Sequence, residues 1–121
     1  MEKNSKRYDL EERTYQFAKS VRSFVKKLKN SIANIEDGKQ VIRSSGSVGA
    51  NYIEANESLS KKDFLMRVKI SRKEAKETRY WLRLIDIEDN GALDNTRNDL
   101  IRESTELMNI FGAIINKTKI S

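Results

Sequence analysis

Residues 61–85, KKDFLMRVKISRKEAKETRYWLRLI, form the stretch that decides the fold. This stretch contains neither proline nor glycine, and its residue types repeat at steps of three and four, the spacing of one helix face. The face expected to enter a core consists of Phe64, Val68, Ser71, Ala75, Thr78 and Leu82. A cationic line at the same spacing consists of Lys69, Arg72, Lys76, Arg79 and Arg83. A third, mixed line consists of Ile70, Glu74, Glu77 and Trp81. The stretch therefore predicts one long helix with three chemically different faces.

Amphipathic segments on both sides of this helix complete the fold. Apolar spacing predicts helices over residues 9–29, 39–58, 60–87 and 96–117, with turns at Asp37-Gly38 and Asn90-Gly91. Four helices joined by short links favour an antiparallel up-down bundle. We therefore expect an all-α protein in which residues 1–121 form one four-helix-bundle domain.

The second predicted helix is rich in small residues, with SSGSVGA at residues 44–50. Two glycines within a helix cost about 1 kcal/mol each against alanine, a cost that close approach of another helix would offset. We therefore expect this helix to be covered on two sides, which a lone four-helix monomer would not require. A phosphate-binding loop is disfavoured because no Gly-Lys-Ser/Thr ending follows and no strand precedes. The GXXG match to KH domains is disfavoured because the strands of that fold are missing.

The composition limits the chemistry that the chain can perform. The 121 residues include no histidine, cysteine or proline. The usual zinc ligands, the commonest general base and the thiol nucleophile are therefore missing, and no disulfide can form. Glu54, Glu74 and Glu77 could form a carboxylate cluster, but a di-metal bundle site needs two Glu-x-x-His motifs. We expect no enzyme activity, no cofactor and no metal.

The net charge of +6 is unevenly distributed along the chain. Residues 1–30 carry +5, residues 31–59 carry −2, residues 60–83 carry +6 and residues 84–121 carry −3. A basic face for nucleic acid is one interpretation. The other is that oppositely charged helices neighbour each other, within a bundle or between subunits. No apolar run reaches the roughly 20 residues of a membrane span, and the N-terminal segment lacks the apolar core of a signal peptide, so we expect a cytoplasmic protein.

The nucleic-acid interpretation assigns its contacts to two basic lines. The first is the cationic line of the third helix, Lys69, Arg72, Lys76, Arg79 and Arg83, and the second is Lys19, Arg22, Lys26 and Lys29 of the first helix. Such side chains would meet phosphates without choosing a sequence. Trp81, the only tryptophan, is either a core or interface anchor or, beside Tyr80, a platform on which a base stacks.

Several motifs resemble one known family. They are RSSGSVGANYIEA at residues 43–55, KDF at residues 62–64 and KEAKETRYWL at residues 73–82. In this order and spacing they are similar to the four-helix-bundle proteins encoded in intervening sequences of 23S ribosomal RNA genes. The motif residues are Asn51, Glu54, Lys73, Glu74, Glu77 and Trp81.

The resemblance carries expectations of its own. It implies an antiparallel four-helix bundle and a ring-like homopentamer. Similar proteins accompany diversity-generating retroelements, where a basic pentamer surface engages RNA and a reverse transcriptase. We therefore expect a non-enzymatic, homo-oligomeric bundle that binds RNA or a nucleic-acid-processing protein. The alternative is a structural or protein-interaction ring without a nucleic-acid role.

Overall fold

A computed structural model describes the backbone of residues 2–120 and the side chains of residues 9–119. Its four helices are α1 (Glu2–Lys26), α2 (Ile32–Asn56), α3 (Lys61–Leu84) and α4 (Gly91–Ile120). α2 and α4 each pack against both α1 and α3, so α1 and α3 lie at opposite corners of a four-helix bundle. The predicted fold class is confirmed.

Contacts between helix ends establish the antiparallel order. Asn56, at the end of α2, donates to Glu11 near the start of α1, with 2.8 Å between Nδ2 and Oε2. Arg97 in the first turns of α4 donates to the carbonyl oxygen of Ile85, just after α3, at 2.7 Å. Between α2 and α3, Ser71 and Thr78 bond Val48 and Ser44, so the partner number falls as the residue number rises. Successive helices therefore run in opposite directions.

The core forms where the predicted apolar faces meet. Fully buried side chains include Phe24 of α1, Val48 of α2, Leu82 of α3 and Phe111 of α4. Leu59 is 100% exposed because α2 ends before it, and Ile115 rather than Ile114 is buried on α4.

The start of α2 corrects the prediction that residues 30–38 form a connection. Ser31 caps the helix, its Oγ accepting from the backbone N–H of Asn34 at 3.1 Å. The buried Asn34 side chain donates to the carbonyl oxygens of Lys29 and Asp86 and accepts from the backbone N–H of Asp86 at 3.0 Å. One amide thus joins both inter-helix connections at this end of the bundle. Asp37-Gly38 is not a turn, because both residues belong to the second turn of α2.

The start of α4 also differs from the predicted start at residue 96, because the helix begins at Gly91. Asn90 caps the helix, since its Oδ1 accepts from the backbone N–H of Leu93 at 3.1 Å. The turn lies at Glu88 and Asp89, two residues before the predicted turn at Asn90-Gly91, and the φ values of these residues are 51° and 60°. A hydrogen bond of 3.1 Å from the backbone N–H of Asn90 to the carbonyl oxygen of Ile87 closes this turn.

The small residues of α2 face α1 within the same chain. A Cβ on Gly49 would lie 2.8 Å from Oγ1 of Thr14, and one on Gly38 would lie 3.2 Å from a methyl of Val25. α3 covers the other side of α2, where Ser44 accepts from the Thr78 hydroxyl at 2.8 Å. α2 is therefore covered on two sides inside one subunit, and its glycines give no argument for a neighbouring subunit. The expected coverage of α2 on two sides is observed, but the expectation that a lone monomer would not require it was wrong.

We predict opposite effects for two alanine substitutions at helical glycines. Gly49→Ala should lower the free energy of unfolding by about 1–2 kcal/mol, since buried Thr14 must move to admit the methyl group. Gly112→Ala should raise it by about 0.5–1 kcal/mol, because nothing lies within 4 Å of the added Cβ and alanine favours the helix. Urea unfolding of both variants tests this prediction. Equal effects would contradict the close approach of α1 at Gly49.

Candidate nucleic-acid interface

One arginine of α2 binds both glutamates in the middle of α3. The Arg43 guanidinium contacts Oε1 of Glu74 at 3.4 Å and also pairs with Glu77. Glu74 is only 7% exposed, so its negative charge needs a nearby cation. Arg43 supplies that cation from α2. The acidic groups in the middle of α3 are therefore compensated within the chain.

Trp81 extends this network toward the end of α3. Its Nε1 donates to Oε1 of Glu77 at 3.2 Å, and its half-buried ring packs against the core. The Trp81 and Tyr80 rings also form a T-shaped pair, with 5.1 Å between centroids and 76° between the ring planes. These contacts fit the anchor interpretation of Trp81, and the side chain available for stacking at this point is Tyr80.

Asn51 and Glu54 differ in their surroundings, although they lie one turn apart on α2. Asn51 donates to the carbonyl oxygen of Ser47 at 2.9 Å and accepts from Arg67 of α3 at 3.1 Å. Asn51 therefore helps to hold α2 against α3. Glu54 is exposed, and among the described side chains it forms no ion pair. The structure does not bring Glu54 into the Glu74–Glu77 network.

The outward surface of α3 carries a set of uncompensated cations, which we call the α3 face. Its members are Lys69, Arg72, Lys73, Lys76 and Arg83. All five are exposed. Within residues 9–119, none of them has a carboxylate at ion-pair distance. By contrast, Arg13, Arg43, Arg97 and Arg102 all pair with carboxylates.

Arg79 differs from the other members of its predicted line. Its guanidinium is half-buried and donates to Oγ1 of Thr105 on α4 at 3.2 Å. Arg79 therefore contributes to the α3–α4 contact. Lys73, which the sequence assigned only to the family motif, takes an outward position beside the remaining cations.

The basic line of α1 lies on the opposite corner of the bundle from α3. Lys19 and Lys26 are exposed, and Nζ of Lys19 lies 5.5 Å from the centre of the Tyr15 ring. Arg22 is half-buried and donates to the carbonyl oxygen of Ala18 at 3.0 Å. Lys29, beyond the end of α1, approaches Glu88 at 3.4 Å. The two predicted basic lines therefore do not merge into one surface of a single subunit.

Two shallow grooves follow the seam between α1 and α2, which we call the α1–α2 seam. The larger groove has a volume of about 440 Å³, with Gly46, Gly49 and Ala50 along its α2 side and exposed Ile53 at one end. The smaller has about 240 Å³ and includes Ile35. Both grooves are bordered by cations.

The described part of the chain offers neither a metal-binding cluster nor a membrane-spanning helix. Over residues 9–119, no group of three or more acidic side chains is close enough to hold a metal ion. Across the backbone described, none of the helices is both long and apolar enough to cross a membrane.

Arg13 connects the first and last helices. Its Nε and Nη2 donate to the two carboxylate oxygens of Glu103 at 2.7 and 2.8 Å. This pair raises the pKa of Arg13, mainly through the side-chain hydrogen bonds to Glu103. The contact ties α1 to α4, the pair of neighbouring helices that no short connection joins. The sequence offered no signal for this pairing, because the two residues are 90 positions apart.

Comparison with known proteins agrees with the motifs and the fold. The model of the 23S rRNA-intervening sequence protein family matches residues 6–113. The chain belongs to this family. A crystal structure of a protein with unknown function from the S23 ribosomal protein family of Bacteroides thetaiotaomicron VPI-5482 is 30% identical in sequence. Its TM-score is 0.73, and the alignment covers 87% of this chain and 96% of that one. No curated protein matches the chain.

We predict that Arg43→Met lowers the free energy of unfolding by about 1–3 kcal/mol. The effect should lie in the lower part of this range, because the Arg43 side chain is half exposed. The loss follows from leaving the buried Glu74 carboxylate without its cation. Arg102→Met is the matched control, because it breaks an exposed pair with Asp99 and should change stability by less than about 0.5 kcal/mol. Urea unfolding measures both changes, and an equal effect of the two variants would contradict the role assigned to Arg43.

Proposed function

We propose that this protein is a non-enzymatic, homo-oligomeric helical bundle that binds RNA through the α3 face. The observation that carries the proposal is the set of five exposed cations without carboxylate partners among the described side chains. Arg43 of α2 forms ion pairs with Glu74 and Glu77, so these glutamates do not neutralise the charges of the outward lysines and arginines. A row of cations at helical spacing suits the regularly spaced phosphates of a nucleic acid.

The proposed mechanism is electrostatic. Each phosphate neutralised on a single strand releases bound counterions, so the logarithm of the binding constant falls with the logarithm of salt concentration by about 0.7 per contact. Five contacts correspond to a slope of about −3.5. An oligomer multiplies such weak contacts, because one RNA can reach the α3 faces of several copies. Affinity of this kind carries no base sequence preference.

The α1 cations form a second line in this proposal. Lys19, Lys26 and Lys29 lie on the opposite corner from the α3 face, and Arg22 is half-buried beside them. One RNA therefore engages both lines only by passing around a subunit or between subunits. We propose that the α3 face dominates, since Lys19 and Lys29 already have partners in the chain. A nucleic-acid-processing protein is a further proposed partner, by analogy with retroelement accessory proteins.

Charge-matched variants test which surface binds RNA. Lys69→Gln/Arg72→Gln/Lys76→Gln should weaken binding of an RNA oligonucleotide by about 30-fold or more at about 0.1 M salt, and should reduce the salt slope. Lys19→Gln/Lys26→Gln/Lys27→Gln removes the same charge at α1 and the residue after it, and should have a much smaller effect. Because Lys19 also borders the α1–α2 seam, sedimentation equilibrium first establishes that this variant keeps the wild-type mass. Fluorescence anisotropy across a salt series measures both quantities.

The outcomes of this experiment separate the proposal from its alternative. Equal weakening by the two triple variants would indicate a net-charge effect and contradict a site on α3. Negligible binding by the wild-type protein at low salt would remove the nucleic-acid function. A protein-interaction ring would then be the function that fits the bundle.

We propose that subunits assemble by packing α4 of one copy against the α1–α2 seam of the next. Ile35 and Ile53 leave apolar surface exposed along this seam. Lys19 and Lys39 border its grooves, whereas the outer surface of α4 carries exposed carboxylates such as Glu106, which stays 59% exposed although it lies 3.8 Å from Arg13. The two surfaces are therefore complementary in charge. A contact between two different surfaces repeats around a ring, which agrees with the homopentamer that the family resemblance implies.

The assembly proposal predicts the mass in solution. A pentamer of 14.0 kDa subunits has a mass of about 70 kDa. Ile35→Ser/Ile53→Ser should dissociate it, because burial of each isoleucine contributes about 1.5–3 kcal/mol. Leu59→Ser/Leu84→Ser removes two exposed leucines elsewhere and should leave the mass unchanged. Sedimentation equilibrium measures the mass, and a wild-type monomer or an unaffected seam variant would contradict this interface.

A further inference from the structure

Tyr80 is an exposed aromatic side chain in the middle of the α3 face. It is 55% exposed, although it adjoins the half-buried Trp81. Lys76 lies one turn before it, Lys73 two turns before it and Arg83 one turn after it, so these three cations share its side of the helix. A flat ring therefore stands among the side chains that the proposed function assigns to phosphate binding.

The ring of Tyr80 is held in place from one side. The Trp81 ring meets it edge to face at 5.1 Å, and Trp81 is fixed by its hydrogen bond to Glu77. Glu77 is in turn held by Arg43 of α2. This chain of contacts positions Tyr80 before any ligand binds, which lowers the entropic cost of stacking on it.

Tyr15 shows that exposure alone does not make a stacking site. It is equally exposed, at 55%, and it also stands in a basic line. Its ring, however, already carries the Lys19 ammonium at 5.5 Å from the centroid. Among the side chains of residues 9–119, Tyr15 and Tyr80 are the two exposed aromatic residues, and none of these side chains places a cation over the Tyr80 ring.

We infer that the α3 face selects unpaired nucleic acid by stacking a base on Tyr80 while the flanking cations hold the neighbouring phosphates. This inference rests on the proposed function and specifies its ligand. A base stacks on an aromatic ring only when it is free of a duplex, and each such contact is worth about 1–3 kcal/mol. Cations alone would attract a duplex as readily, since a duplex has the higher charge density.

The test compares single-stranded and duplex RNA on three tyrosine variants. The probes are a labelled single strand of about 12 nucleotides with mixed sequence and the duplex formed with its complement. Tyr80→Ala should weaken binding of the single strand about 5- to 150-fold and leave duplex binding unchanged. Tyr80→Phe keeps the ring and should retain wild-type affinity. Tyr15→Ala is the matched control and should affect neither probe; because Tyr15 lines the larger groove of the α1–α2 seam, its oligomeric mass is first compared with that of the wild type.

Trp81 provides an independent readout of the same event. As the only tryptophan, 5.1 Å from Tyr80, it should change its fluorescence when a base stacks beside it. The single strand should change the emission at saturation, whereas the duplex should not. Loss of this change in Tyr80→Ala, measured at saturating RNA, separates stacking from a general loss of affinity.

The possible failures are distinguishable. If Tyr80→Ala leaves single-strand binding intact while the Lys69→Gln/Arg72→Gln/Lys76→Gln variant weakens it, the α3 face binds phosphate and the stacking inference is overturned. Equal weakening of both probes by Tyr80→Ala would also overturn it. Wild-type protein that binds neither probe would overturn the proposed function and this inference together.

Discussion

The pairing of Arg43 with Glu74 and Glu77 links the fold of this protein to its surface chemistry. A carboxylate as buried as Glu74 is costly without a cation, so α2 must place Arg43 beside it. The same contact leaves the lysines and arginines on the outer side of α3 without these acidic partners. The basic surface is therefore a consequence of how α2 and α3 pack, as well as of the composition. Glu77 further holds Trp81, which in turn orients Tyr80.

α2 is the helix on which this arrangement depends. It is covered by α1 along Gly38 and Gly49 and by α3 along Ser44. Small residues let both neighbours approach closely, and the hydroxyls between α2 and α3 satisfy one another. Among the described side chains, no buried polar atom is without a partner. Asn34 completes the packing by joining the two connections at one end of the bundle. Together these contacts fix how α3 is turned and which of its faces meets solvent.

The sequence predicted this architecture well where periodicity was strong. The three faces of α3 could be read from spacing alone, because an unbroken helix places residues three and four positions apart on the same face. The start of α2 could not, because Asp37-Gly38 is typical of a turn, and the close approach of Val25 of α1 to Gly38 depends on the packed fold. The partner of Arg43 was hidden for a similar reason, since a pairing 31 residues distant depends on the relative rotation of two helices. Arg79 followed the cationic spacing but turns toward Thr105, a detail that spacing cannot resolve.

Lysine footprinting tests most directly whether RNA binds to the outward side of α3, as we propose. The protein is acetylated under limiting reagent with and without single-stranded RNA, and the modification of each lysine is quantified by mass spectrometry. We predict that RNA protects Lys69, Lys73 and Lys76, while Lys39, which lies on α2 and pairs with Glu36, keeps its reactivity. Protection of the α1 lysines without protection of these three, or no protection at all under binding conditions, would contradict it.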